Sequence, residues 1–431
     1  DLVRSRGLGD VYKRQQSARW QCSPARSNSP NPLDSLPDYT SRNRYDWLTA
    51  HLLKGLWDTK RMSQKQLILH VGFHKSGTSA LQESFSVQRA ELASSGILYP
   101  NIGRKAHHRI AWALTQKPWG WKSRGGETTP FKYFTKMARL IKNSKSEKIL
   151  LSSEFFSELT KEQIQKLAGA VKGREVKIVF TLRPLVKVLS SSYQQYLKYG
   201  IKADYSQWLH SVLDEPGVSK ITPSFWKRHM HGEVVKRWVD TFGPSAITLV
   251  IADETRPEFL FSEVNQILGL SSEFLKPQPT GSNRSLSIEE ISLLLKLNNI
   301  FPKERDWSEY RIFVRNGYIR RLTDFVPMSA KAGKLPTPTW AIEAANKISL
   351  DSKRIIEQLG INVKGNLQRL DTESVLEGEP QYSEHIDIET MAQVMLAFDK
   401  SLVRKIPNRW TIAEYVYRLK RAVLGLFGII R

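Results

Sequence analysis

The sequence predicts an α/β protein: a three-layer α/β/α sandwich with a mostly parallel central sheet, followed by a helical C-terminal part. Three observations predict it. Apolar runs of strand length recur at 67–71, 148–153, 176–182 and 246–251, and each leads into a stretch that reads as helical. The first run stops at a glycine-bounded loop that opens a helix, a turn at which phosphate is commonly held. Beyond residue 285 the strand pattern gives out and helical segments take over.

In chain order, residues 1–61 stand apart from that core. They contain no methionine, are rich in Ser, Pro, Arg and Asn, and show no sustained apolar period. They read as a non-native or disordered leader, with the protein proper expected to begin at Met62. The chain of 431 residues carries a net charge of +23. The leader holds eleven Lys/Arg against six Asp, so most of that charge lies beyond it. A basic surface suits polyanionic donors, anionic glycans, nucleic acid or anionic membrane, or serves solubility alone. The single cysteine, Cys22, excludes a disulfide framework and a cysteine-based zinc site. Neither a signal peptide nor a run of 18 apolar residues is found, so the expected location is the cytoplasm.

The first strand leads through Gly72-Phe73-His74-Lys75-Ser76-Gly77 into a helix that begins at Thr78-Ser79. Small residues at such a turn let several backbone N–H groups and a positive helix end converge on one point. The spacing Gly72-x4-Gly77 is that of the nucleotide P-loop, and the expected core is P-loop NTPase-like. The nucleotide loop, however, places Lys directly after its second glycine. Here Thr78 stands there and the lysine lies inside the loop as Lys75. The loop can cradle an anion with Lys75, Thr78, Ser79 and backbone amides, without the usual magnesium arrangement.

The following helices are expected at 161–171, 185–199 and 257–268, with strands between them. In parallel sheets ligands collect at the carboxyl ends of the strands, where the loop, Glu154 and Arg183 all fall. Pro184 suits the first turn of a helix and leaves Arg183 at the strand's end, its guanidinium fork able to grip a phosphate. Ser191, eight residues later, lies about two turns on and can add a hydroxyl. His70 sits inside its strand and reads as core, whereas His74 can line the loop. His229 and His231 have no further ligand nearby in the sequence, so no metal is expected. The domain division that follows is 62–285 for the α/β core and 286–431 for helices packed on it, including 287–298, 338–358 and 388–399. The last stretch, 410–430, is apolar with Arg409, Arg418, Lys420, Arg421 and Arg431 around it. It can dock on the core or lie flat on an anionic inner-membrane surface as a peripheral contact.

Lys75-Ser76-Gly77-Thr78-Ser79 resembles the 5′-phosphosulfate loop of sulfotransferases that use 3′-phosphoadenosine 5′-phosphosulfate (PAPS). Arg183 with Ser191 and Tyr193 resembles their 3′-phosphate site, about a hundred residues after the loop. The resemblance covers about residues 65–287 and is nearest to bacterial sulfotransferases of the carbohydrate type. Supporting phrases are Gly96-Ile97-Leu98-Tyr99-Pro100, His107-His108, Leu151-Ser152-Ser153-Glu154 and Trp238-x3-Phe242-Gly243. Asn283-Arg284-Ser285 resembles the polar segment that closes over the nucleotide, although the glycine segment of the cytosolic type is missing.

The resemblance implies PAPS as co-substrate, adenosine 3′,5′-bisphosphate as product, no metal, and a hydroxyl or amine acceptor on a carbohydrate or glycolipid. Its donor contacts map onto Gly72, His74, Lys75, Ser76, Gly77, Thr78, Ser79, Arg183, Ser191, Asn283 and Ser285. Lys75 is implied to neutralise the leaving phosphate. The proton acceptor is open between Glu154 and a histidine, His108 or its neighbour His107. Trp112, Trp119 and Trp121 can stack on sugar faces or pack locally. Two other classes compete with this reading. A nucleotide kinase needs a lysine after Gly77 and an acidic metal ligand, for which only Glu154 is available. A nucleic-acid-binding protein is disfavoured by dispersed positive charge and the lack of an RNA-binding aromatic signature, so no nucleic-acid partner is expected.

Overall fold

The computed structural model describes residues 65–103, 105–117, 128–278, 284–319, 333–385 and 408–426, with the single residues 323, 388, 391 and 392. The leader at 1–61, Trp119, Trp121, Asn283 and most of the helix expected over 388–399 lie outside these residues.

Among the described residues one sheet has six strands: β1 Gln66–His70, β2 Ile97–Leu98, β3 Lys148–Ser152, β4 Glu175–Leu182, β5 Ile247–Ile251 and β6 Asn362–Lys364. Their order is β2-β3-β1-β4-β5-β6, and every pairing is parallel. β1 is central, with Leu69 paired to Leu151 of β3 on one side and to Ile178 of β4 on the other. From β1 the chain runs out to the edge strand β2, returns to β3 beside β1, then crosses to β4 on the other side of β1. Connections therefore diverge at the carboxyl end of β1, the kind of switch point at which parallel sheets collect ligands. The four long strands lie within two residues of the sequence expectation. β2 and β6 leave no mark in the sequence, because two or three residues are too few to show a strand period.

The longer helices are α1 Thr78–Val87, α2 His108–Thr115, α3 Lys132–Asn143, α4 Lys161–Ala170, α5 Leu185–Leu197, α6 Tyr205–Leu213, α7 His231–Phe242, α8 Pro257–Leu268, α9 Ile288–Ile300, α10 Thr339–Gln358 and α11 Asn408–Leu426. Their starts follow local chemistry. Thr160 with Gln163, Asp204 with Gln207 and Ser287 with Glu290 form reciprocal capping boxes on α4, α6 and α9. α8 opens on Pro257 and ends at Gly269, which takes the left-handed conformation that favours glycine.

Alternation along the strands sends residues to both faces of the sheet, and both are covered. Ile68, Leu150, Val179 and Val250 meet Leu81 and Phe85 of α1 and Leu260 and Val264 of α8. On the other face, Leu67, Leu69, Ile149, Ile178 and Phe180 meet Ile110 of α2, Met137 of α3, Leu167 of α4 and Trp238 of α7. Each aliphatic or aromatic side chain so buried contributes about 1.5–3 kcal/mol. A third cluster joins α5, α6, α9 and α10 through Leu189, Tyr193, Trp208, Leu294 and Ala345. After α10, whose Ile356 reaches the sheet cluster, the chain returns to the sheet edge as β6.

α11 differs from the rest. Every side chain described on it, from Ile412 to Arg421, is exposed, so this stretch does not dock on the core. No described helix is long and apolar enough to cross a membrane.

Candidate functional site

The site begins with a polar floor. His70 ends β1, and its ring bridges the neighbouring strands: Nδ1 lies 2.7 Å from Ser152 Oγ and Nε2 3.3 Å from Thr181 Oγ1. Burial pushes the ring down to about 4, so it stays neutral. Thr181 Oγ1 in turn lies 2.8 Å from Ser76 Oγ, which donates to Phe73 O at 2.7 Å. The chain after β1 stays bonded to β4 through Val71 N and Phe73 N, each 2.9 Å from its carbonyl. These ties fix the height of the loop above the strand ends. The Ser76 hydroxyl is spent inside the loop, so what Ser76 offers a ligand is its backbone N–H.

Three loop residues have positive φ: Gly72 at 57°, Lys75 at 67° and Gly77 at 88°. A Cβ on Gly72 would lie 2.4 Å from the Thr78 methyl, so only glycine lets the loop fold down onto α1. A left-handed lysine is strained by about 1–3 kcal/mol, a strain that collects at binding loops. Gly77 caps α1 without a side-chain hydrogen bond, which leaves the positive helix end facing the loop. Thr78 is buried and Ser79 exposed at that end.

Lys75 is half-buried, its Nζ donating to Gln195 Oε1 of α5 at 3.3 Å. Burial pushes the ammonium down to about 8, with Lys198, Arg228 and Arg183 adding to the effect and Glu154 opposing it. Arg183 leaves the end of β4 and reaches Lys75 O at 3.5 Å. Its guanidinium pairs with Glu254 at the end of β5, while its buried Nε has no hydrogen-bond partner among the described residues. Lys187 of α5 lies 3.9 Å from Glu254 and 3.3 Å from Glu373. Ser191 sits farther along α5, half-buried, donating to Val188 O at 3.1 Å.

Glu154 opens a tight turn, Glu154–Glu158, directly after β3 and its capping Ser153. Gln82 of α1 donates to Glu154 Oε2 at 2.9 Å, and His108 Nδ1 lies 3.7 Å from the same oxygen. Burial alone would raise this carboxyl, but His108, His74 and the Gln82 amide outweigh it and hold it below the usual carboxylate range. Burial pushes His108 down despite Glu154, so the pair at neutral pH is a carboxylate beside a neutral imidazole. His108 Nδ1 also lies 2.9 Å from Ser153 Oγ.

The neighbouring His107 is a correction to the sequence reading. It is 1% exposed, accepts from Ser152 N at Nδ1 (3.0 Å) and donates from Nε2 to Pro100 O (2.8 Å). With both nitrogens tied to backbone it is a structural strut, and it has no free position at which to take a proton.

His74 Nε2 faces Glu158 Oε1 at 3.2 Å, and Phe155 lies edge-on to its ring at 4.8 Å. Glu158 also accepts from Arg228 Nε at 2.9 Å. Burial works against the Glu158 charge, yet Arg228 and His74 hold the carboxyl at about 2. Trp112 of α2 packs against His108 and Phe155, with ring centres 5.6 and 5.0 Å apart, and is half-buried. Ser285 is exposed, and its neighbour Arg284 forks onto Glu290 at 2.7 and 2.6 Å. His229 rests on Ser192 at 3.4 Å and His231 on Phe73 at 4.6 Å between ring centres. Among the described residues no group of three His, Cys, Asp or Glu stands together to hold a metal ion.

The structure therefore brings together the loop, Lys75, Arg183, Glu154, His74 and His108 at the carboxyl end of the sheet. Sequence reasoning missed Gln82, Glu158, Gln195, Arg228 and Glu254. Gln82 and Glu158 carry a weak signal, each four residues after a singled-out position, Thr78 and Glu154. Gln195 carries the same signal, four residues after Ser191, whereas Arg228 and Glu254 carry none.

No known protein-family model matches this sequence, and no curated protein matches it. Among solved structures, a sulfotransferase from Alicyclobacillus acidocaldarius is similar, with a TM-score of 0.37 and 20% identity over 57% of this chain and 98% of that chain. A likeness that loose leaves the function to be argued from the residues.

Proposed function

We propose that this chain is a PAPS-dependent sulfotransferase that transfers a sulfuryl group to a hydroxyl or amine of a carbohydrate or lipid-linked glycan. The observation that carries the reading is the union of two anion cradles: the loop at Gly72–Gly77 with Lys75, and Arg183 reaching the Lys75 carbonyl at 3.5 Å. The residues fit a donor with two phosphate positions. Gly72 lets the loop fold down onto α1, the α1 end is uncapped by any side chain, and Arg183 keeps a buried N–H without a partner among the described residues. Such a donor brings a sulfuryl group on a good phosphate leaving group, which needs no bridging metal.

In this reading the chain positions groups and neutralises charge. Lys75 and the amides at the α1 end hold the leaving phosphate. Arg183, with Ser191 behind it, holds the second phosphate. Glu154 takes the acceptor proton on a carboxylate oxygen, while Gln82 fixes that carboxylate and His108 stays neutral beside it. Trp112 and Phe155 wall the acceptor side with aromatic faces that suit a sugar ring.

The test is a titration with adenosine 3′,5′-bisphosphate without magnesium, followed by incubation with radiolabelled PAPS and glycan or glycolipid fractions. Binding, and label appearing in an acceptor, support the proposal. Phosphate transfer from magnesium ATP without bisphosphate binding would establish a kinase instead. Salt-sensitive retention on DNA, indifferent to the bisphosphate, would establish a nucleic-acid-binding protein.

A further inference from the structure

The described helices before α11 bury side chains, whereas Ile412, Tyr415, Val416 and Leu419 of α11 stand 62%, 71%, 44% and 58% exposed. Their spacing of three, four and seven residues puts them on one stripe of the helix. Arg418, whose Nε donates to Glu414 Oε1 at 2.8 Å, and Lys420 flank that stripe, and Arg421 lies on the far side. From residue 408 to 431 the sequence holds five basic residues against the single acid Glu414, and residues 422–430 carry no charge. Tyr415 adds to the stripe an amphipathic ring of the kind that settles at headgroup depth.

An apolar stripe edged with cations has a narrow choice of cover. A second copy laid along the same stripe would bring like charges from both helices together, which opposes pairing. An anionic bilayer satisfies both halves of the pattern: the stripe enters the acyl boundary and the cations lie among lipid phosphates. We propose that α11 is an interfacial anchor that lays this protein flat on a bilayer rich in anionic lipid. This inference does not depend on the reaction proposed above.

The experiment is sedimentation of the full chain with phosphatidylcholine vesicles, with and without phosphatidylglycerol, at physiological ionic strength. Two variants accompany it: Arg418→Gln with Lys420→Gln and Arg421→Gln, and Val416→Glu with Leu419→Glu. Thermal unfolding should be unchanged in both, since the altered side chains are exposed. Each cation near an anionic surface is worth roughly fivefold in partitioning, so losing Arg418 and Lys420 beside the stripe should cost the triple variant about twenty-five-fold, with little added by Arg421 on the far side. The double variant should lose binding as well. No binding to the anionic vesicles, equal binding to neutral vesicles, or variants that bind like the parent would overturn the proposal. So would concentration-dependent dimerisation by light scattering that the double variant abolishes without any vesicle binding.

Discussion

Raising the pH should release a phosphate ligand from the loop well before the protein unfolds, because Lys75 is already close to losing its proton. Burial takes its ammonium from 10.5 to about 8, with Lys198, Arg228 and Arg183 contributing and Glu154 opposing. A fall of that size withholds about 3 kcal/mol from the charged form. A bound phosphate returns attraction to that form, so binding favours protonated Lys75. The free protein carries this proton below about 8 and loses it above. Affinity is therefore fully present below that pH and falls as pH rises through it. The decline approaches tenfold per pH unit, about thirtyfold by pH 9.5. The assay is calorimetric titration with adenosine 3′,5′-bisphosphate from pH 7 upward, a range in which the ligand's phosphates have already lost their last proton. Lys75→Ala should bind about ten- to a hundredfold more weakly at pH 7, with a flat profile. Lys75→Arg should also be flat, since a guanidinium does not titrate there. A flat parent profile, or the same slope in Lys75→Ala, would refute the reasoning.

Three further outcomes follow from named contacts. Arg183→Ala should weaken bisphosphate binding by about 1.5–3 kcal/mol in the same calorimetric assay, because it removes a charged donor pair from one phosphate position. Glu154→Gln should keep donor affinity within about twofold and lower kcat by about 10²–10⁴, read from initial rates of label transfer. The acid limb of the parent rate should also fall below the ordinary carboxylate value, since Glu154 must stay ionised and its neighbours hold it low. Gly72→Ala should lower the melting temperature more than Gly243→Ala. Both glycines have positive φ, 57° and 80°, but only at Gly72 does a new Cβ meet another atom, the Thr78 methyl at 2.4 Å. Equal losses in the two variants would mean that the clash is relieved by movement of the loop.

Much of the architecture was legible because each long strand buries both faces and so reads as a continuous apolar run, as in Ile149–Leu150–Leu151 or Ile178–Val179–Phe180. The carboxyl-end placement of Lys75, Glu154 and Arg183 was legible for the same reason: once strands are located, so are their ends. What escaped was whatever depends on folding back across long separations. His107 and His108 are neighbours with equivalent sequence surroundings. Only the tertiary fold ties the first to Pro100 and Ser152 and turns the second toward Glu154. Arg228 reaches Glu158 across 70 residues from a Lys-Arg-His run that looks like an ordinary solvated face. β6 follows α10 by only a few residues and is too short to announce itself, although it completes the sheet beside β5.

The pairing of Arg183 with Glu254 changes what binding means at that guanidinium. A phosphate binding there as proposed would not meet a bare cation; it would have to displace a carboxylate tethered to the same chain. Tethering gives that carboxylate an effective concentration in the millimolar range or above. A dilute singly charged anion competes poorly under those terms, whereas a ligand anchored at the loop arrives with an effective concentration of its own. Lys187, shared between Glu254 and Glu373, stands ready to keep the displaced carboxylate company. Glu254 stays close by after the exchange while the ligand adds its own negative charge, so occupancy should rise with the valence and span of the ligand and fall as salt is added.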